Sequence, residues 1–281
     1  MQHVGRRATR RLTVGRAALD QHAHRLHVVV FARLGHLHAH PVGTELVSGS
    51  GTFSFGPIAF DGSNGERQFT VRNTGNATLS LGGATLSGAH AADFVINSSG
   101  LASSLAPMAA TTFTITFTPG AMGPRNASLL LASNDADEPF YGVMLAGTGV
   151  TAQEGWRQVH FNTTSNSDSA ADSADPDHDG LENLLEWACG LIPTASSSLP
   201  TSSVLNGTDI EFNYTRSLAA VNAGVTFAVE WSDSLLGTSW STSGVTQSVL
   251  TDNGTTQQMK ATLPAGTSGQ RFVRLKVTAA E

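Results

Sequence analysis

The stretch that decides the fold is Thr111-Thr112-Phe113-Thr114-Ile115-Thr116-Phe117-Thr118-Pro119-Gly120. Phe113, Ile115 and Phe117 alternate with threonines. That period of two puts large apolar side chains on one face of a strand and hydroxyls on the other. The stretch closes on Pro-Gly, which suits a turn and not the middle of a sheet. The same device recurs in both directions: Phe69 and Val71, Leu79 and Leu81, Leu129 and Leu131, then Tyr141, Val143 and Leu145. Between them stand Asn73-Thr74-Gly75, Gly82-Gly83, Gly123-Pro124 and Asn134-Asp135, each a turn signal. About seven short strands in roughly 100 residues predict an antiparallel immunoglobulin-like β-sandwich over 45–150.

Composition agrees with an all-β chain. Of 281 residues, 14% are charged and 29 are Gly, too few charges for a coiled coil or a charged disordered chain. No apolar run approaches the roughly 20 residues of a membrane helix, so no membrane span is expected. Residues 1–44 carry seven Arg against the single acid Asp20, a balance of +6. Residues 45–281 carry 9 basic and 21 acidic groups, a balance of −12, which makes the bulk a poor ligand for nucleic acid. Cys189 stands alone, so the chain has no intrachain disulfide.

The basic leader differs from everything after it and holds seven of the ten histidines: His3, His22, His24, His27, His36, His38 and His40. It lacks the uninterrupted apolar region and small-residue cleavage site of a signal peptide. Its histidine spacings suit zinc or nickel. A disordered or misassigned start is the favoured reading, and no function is assigned to 1–44.

The runs QFTVRNTGNATLSLGGATLSGAHAADFVI (68–96) and LAPMAATTFTITFTPGAMGPRNASLLLASNDADEPFYGVMLAGTG (105–149) carry a resemblance. Asn73-Thr74-Gly75, Gly88 to Asp93-Phe94, Leu105-Ala106-Pro107, Phe117-Thr118-Pro119, Ser133-Asn134-Asp135 and Gly147-Thr148-Gly149 resemble the choice-of-anchor D family of bacterial surface proteins. That family is related to the sperm-protein-like domains of cilia. The resemblance implies an immunoglobulin-like domain and an extracellular setting, with no reaction. Asp135, Asp137 and Glu138 read as turn chemistry before Pro139, since no glycine-defined ligand loop surrounds them.

A polar linker, 151–174, leads to the sharpest motif in the chain. Asp175-Pro-Asp177-His-Asp179-Gly180-Leu181-Glu182-Asn183-Leu184-Leu185-Glu186 fits the D-x-D-x-D-G-x5-E template of an EF-hand-like calcium loop. Calcium is a hard ion that takes six to eight oxygens at flexible angles. Asp175, Asp177 and Asp179 supply the first three, and Gly180 permits the turn. Leu181 offers its carbonyl, Asn183 contributes directly or through water, and Glu186 closes the site. Seven acids lie between Asp168 and Glu186 with no Lys or Arg, an arrangement that repels itself unless a cation sits among them. An acidic helix start accounts for one or two of them but not for the spacing. The loop is similar to those of thrombospondin type 3 repeats and dockerins. Glu182 stands at loop position eight, where paired EF-hands place an apolar residue, and the sequence shows no second loop, so a lone structural calcium site is expected. Leu181, Leu184, Leu185 and Ala188 recur at helical spacing and predict one short helix, stopped by Gly190 and Pro193 within 175–193.

A second β-sandwich is expected over 201–281. Ile210, Phe212 and Tyr214 alternate, as do Phe227, Val229 and Trp231, and Val273, Leu275 and Val277. At about 80 residues this module needs the preceding helix to complete its core. Its segments FNYTRS, VEWSDSL and RFVRLKVT resemble the C-terminal β module of exported Planctomycetes and Verrucomicrobia proteins. Trp231 continues the inward alternation and is read as core; Trp240 fits the core or a sugar-stacking surface equally.

The expectation is therefore two immunoglobulin-like sandwiches joined by a calcium loop and one short helix. No catalytic residue or organic cofactor is expected, and calcium is the one ion. The chain reads as a monomeric, extracellular or cell-surface structural or adhesion module, part of a larger protein, with a glycan or protein partner. A carbohydrate-binding accessory module of an exported polysaccharide-degrading enzyme is the alternative. No nucleophile–base set, paired acid–base carboxylates or phosphate loop points to an enzyme.

Overall fold

In the computed structural model, which describes residues 26–31, 44–136, 138–234, 240–266 and 271–279, period-two alternation becomes burial. Ten strands build the first module: β1 (Leu26–Phe31), β2 (Thr44–Leu46), β3 (Thr52–Ala59), β4 (Gly65–Asn73), β5 (Leu79–Ser87), β6 (Phe94–Asn97), β7 (Ser104–Leu105), β8 (Ala110–Phe117), β9 (Gly123–Ser133) and β10 (Phe140–Val150). They form two five-stranded sheets, ordered β2-β1-β4-β8-β6 and β3-β10-β9-β5-β7. Pairing is antiparallel except where β3 runs parallel to β10. Along β8 the odd residues Phe113, Ile115 and Phe117 are buried while Thr112, Thr114 and Thr116 are half-buried. The apolar positions read from the sequence in this module all enter one core between the two sheets. The Tyr141 hydroxyl donates to the Leu46 carbonyl and ties β10 to β2.

One strand lies in the leader. β1 sits between β2 and β4, with Val28 opposite both Leu46 and Val71. The sandwich therefore begins before residue 45, where the sequence reading had placed its start. The run Val28-Val29-Val30 is β-branched and favours strand even inside a basic, His-rich segment. The other six histidines of the leader lie outside the described residues.

The second module has β11 (Thr201–Asn206), β12 (Asp209–Ser217), β13 (Thr226–Ser232), β14 (Thr246–Asp252), β15 (Thr256–Pro264) and β16 (Phe272–Thr278). A four-stranded sheet, β11-β12-β15-β14, faces the two-stranded ribbon β13-β16. Phe212, Tyr214, Val229, Met259, Ala261 and Leu263 are its buried core, with Phe227, Trp231, Val273 and Leu275 packed on it.

Three helices join the modules where one was expected: α1 (Ala152–Phe161), α2 (Asn183–Cys189) and α3 (Leu218–Asn222). α1 occupies much of 151–174, which the polar composition had marked as linker. A capping box starts it, since the Thr151 hydroxyl accepts from the Glu154 amide and the Glu154 carboxylate accepts from the Thr151 amide. Its Gly155 lies against β3 so closely that a Cβ there would sit 2.8 Å from the Ala59 Cβ. Trp187 and Ala188 of α2, Ala220 of α3 and Val225 form a third buried cluster, joined by Trp156, Phe227 and Val277. The helices thus roof one end of the second sandwich and dock it to the first.

Candidate metal centre

The 175–186 loop folds by bonding its own amides to its own carboxylates. Asp175 accepts from the Asp179 amide at 3.2 Å and the Gly180 amide at 2.9 Å. Asp177 accepts from the Asp179 amide at 3.3 Å, and Asp179 from the Leu181 amide at 2.8 Å. Gly180 has φ +89°, a left-handed conformation that side chains rarely adopt, although open space surrounds it. Conformation and not room requires glycine here.

This winding brings carboxylate oxygens of Asp175, Asp177 and Asp179 within 4.8 Å of one another. The carboxylate of Glu186, on α2, is not among those that lie within 4.8 Å of one another, although it feels their fields. Glu186 is 0% exposed, and neither of its carboxylate oxygens has a hydrogen-bond partner; the same holds for Asp177 Oδ2. Burial, reinforced by the fields of Asp177, Asp179 and Asp175, pushes the Glu186 carboxyl up to about 7. An anion buried without a partner is costly, whereas a divalent cation reverses both effects at once. Asp179 differs: its other oxygen accepts from the Ser197 amide at 2.6 Å and hydroxyl at 3.2 Å, and the amide bond holds its carboxyl below the usual range.

Asn183 and Leu181 take places that spacing alone could not assign. The Asn183 side-chain amide donates to the carbonyls of Ser169 and Ala171 at 2.9 and 2.7 Å, while its Oδ1 has no hydrogen-bond partner. Leu181 is buried at the loop's seventh position, where its carbonyl is the atom of interest. Cys189 is buried in α2, and burial pushes its thiol up to about 12, which makes it unreactive packing.

Sequence reasoning missed the residues that tie this loop to the rest. Asp172 accepts from Arg157 at 2.6 Å and Gln153 at 2.8 Å, both on α1, and its carbonyl accepts from the Leu184 amide at the start of α2. Arg157 is 4% exposed. Thr151-x-x-Glu154 was the signal that could have found α1. A continuous path therefore runs from β3 through Gly155, Arg157 and Asp172 to the acidic loop.

The other acidic group, near Asp135, is a turn in the described part: the Asp135 amide donates to the Ser133 hydroxyl, which donates to the Glu138 carbonyl. Asp137 lies outside the described residues. The two tryptophans of the second module each have one face covered, Trp231 by Arg271 at 3.6 Å and Trp240 by Arg274 at 4.1 Å.

No protein-family model matches the chain, and no curated protein does. Among solved structures, similarity is found to a protein of unknown function from Porphyromonas gingivalis W83, with a TM-score of 0.30, 18% identity, and coverage of 34% of this chain and 43% of that one. The PapD-like domain 7 of human CEP192 gives a TM-score of 0.28 at 19% identity, over 36% of this chain and 81% of that one. The secreted serine protease VesC from Vibrio cholerae gives 0.28 at 11% identity, over 80% and 49%. The chain spans less than half the length of the first and third of these proteins. Among the described residues no helix is long and apolar enough to cross a membrane.

Proposed function

We propose that this chain is a non-catalytic structural module that works outside the cell and is stiffened by one calcium ion. The observation that carries the reading is Glu186, fully buried with both oxygens unpartnered, its carboxyl raised by burial first and then by the fields of three clustered aspartates. Asp175, Asp177, Asp179 and Glu186 would hold the ion, the Leu181 carbonyl and Asn183 Oδ1 standing at the seventh and ninth loop positions. Oxygen donors without sulfur or imidazole suit calcium over zinc or copper. The ion's role is mechanical. It fixes α2, and α2 carries Trp187 and Ala188 into the cluster that roofs the second sandwich. The Asp172 bonds then pass that order to α1 and the first sandwich.

Isolated extracellular calcium sites bind at roughly 10⁻⁴–10⁻³ M, so the module is ordered where calcium is millimolar and loosened inside a cell. The guanidinium covers over Trp231 and Trp240 leave less open aromatic surface for a sugar than the carbohydrate-binding alternative asks for. Calorimetric titration of the 281-residue chain tests the reading. Calcium is expected to bind at one site in that affinity range, and the Asp177→Ala, Glu186→Ala variant to give no binding heat. A wild-type chain that takes up no calcium would overturn it.

A further inference from the structure

Asparagine followed by glycine is a chemically fragile pair, because a glycine nitrogen unscreened by a Cβ can close on the asparagine side-chain carbon. The sequence holds three such pairs: Asn64-Gly65, Asn206-Gly207 and Asn253-Gly254. As dipeptides they are identical. Closure needs the side-chain carbonyl and the next backbone nitrogen both free to meet, and the fold grants that freedom unequally.

Asn253 is held at both ends. Its Oδ1 accepts from the Thr255 and Thr256 amides at 2.9 and 2.7 Å, and its Nδ2 donates to the Thr256 hydroxyl at 3.2 Å. The Gly254 amide, the nitrogen that would attack, donates to the Asp252 carboxylate at 2.8 Å. Asn64 is exposed, but Gly65 is buried at the head of β4 opposite Phe117, so its nitrogen is fixed in the sheet.

Asn206 differs on every count. It and Gly207 are exposed in the β11–β12 hairpin, whose turn is Gly207-Thr208. Gly207 has φ +63° and open space where a Cβ would stand. Among the described residues, neither Asn206 Oδ1 nor the Gly207 amide makes a hydrogen bond. One restraint remains, the bond from Asn206 Nδ2 to Glu211 at 3.1 Å, and an exposed bond of that kind contributes only about 1 kcal/mol.

We propose that Asn206 is the site of spontaneous deamidation in this chain. The Gly207 nitrogen bonds to Asn206 Cγ and gives its proton to water, the Cγ–Nδ2 bond breaks, and ammonia leaves. Water then opens the resulting five-membered imide at either carbonyl, to aspartate or to isoaspartate. Nothing is oxidised or reduced. Either product sets a new carboxylate beside Glu211, where an amide had donated to it, so attraction becomes repulsion. Isoaspartate also lengthens the backbone by one methylene at the pair Asn206 and Asp209 that closes the hairpin. β11 pairs with β12 alone and all six of its residues are exposed, so it has little else to hold it. The modification therefore loosens β11, and it does not depend on calcium.

Peptide mapping of the folded 281-residue chain, aged at mildly alkaline pH, is the test. The mass gain of an amide-to-acid exchange should appear at Asn206 well before Asn64 or Asn253. In denaturant the three sites should convert at comparable rates, because only folding separates them. Gly207→Ala should lose most of the conversion at Asn206, and hydrogen exchange in β11 should rise in the converted wild type. Equal conversion of the three sites in the folded chain, faster conversion at Asn64 or Asn253, or no conversion at Asn206 would overturn the proposal. Unchanged exchange in β11 of the converted chain would overturn its structural consequence. Should Gly207→Ala fail to fold, the ratio of the three sites in the folded wild type decides alone.

Discussion

The two sandwiches solve the same packing problem with unequal means. The first closes 17 buried apolar residues between two five-stranded sheets, among them Phe69 stacked on Phe113, and Phe55, Phe94 and Phe117 packed ring to ring. The second has six buried core residues, and its smaller sheet has two strands. What it lacks is supplied by Trp187, Ala188 and Ala220 from the helices. One of those helices is built on the acidic loop. The first module thus stands on its own core, whereas the second stands partly on a loop whose carboxylates repel one another. Calcium should matter to the second far more than to the first.

The largest break in that comparison comes from the first core. Phe117→Ala removes a fully buried ring and should cost about 3–5 kcal/mol. In scanning calorimetry it should lower the transition of the first module and leave the calcium response of the second unchanged. Next comes Asp172→Ala, which strands the buried Arg157 guanidinium and should cost about 3 kcal/mol. Its signature is coupling: hydrogen exchange should rise in α2 as well as α1, because the Asp172 carbonyl and side chain serve both. Gly155→Ala sharpens the docking claim. Its Cβ would meet Ala59 at 2.8 Å, for a cost of about 1–3 kcal/mol, read as a fall in the melting temperature of the joined modules.

A pH effect should be the smallest and belongs to the first module. Asp93 bonds Arg125 at 2.5 Å, and that bond holds its carboxyl below the ordinary range. A carboxyl lowered by folding contributes stability above its unfolded value of about 4, and loses it as pH falls through the lower folded value. Denaturant unfolding from pH 5 down to pH 2 should therefore show a decline that Asp93→Asn flattens.

How far the sequence spoke depended on the length of chain each feature spans. Phe113, Ile115 and Phe117 declare their strand within five residues, and Asp175 to Glu186 declare the loop within twelve. α1 was hidden because Gln, Arg, His and a mid-helix Gly dilute its apolar face, although Thr151 and Glu154 cap it in plain view. α3, five residues long, offers too little periodicity to separate from a turn. β1 was masked by the Arg and His around its valines. The covers on Trp231 and Trp240, and the bond from Asp179 to Ser197, join residues that only folding brings together. No local spacing encodes them.

The most direct test of the central claim compares thermal melts of the wild-type chain and Glu186→Gln, each with millimolar calcium and with chelator. Replacing an unpartnered buried carboxylate by a neutral amide should stabilise the metal-free protein by about 1–3 kcal/mol, a rise of a few degrees. The same change should abolish the further rise that calcium gives the wild type. A variant less stable than wild type in chelator, or a wild type whose melt ignores calcium, would contradict the account.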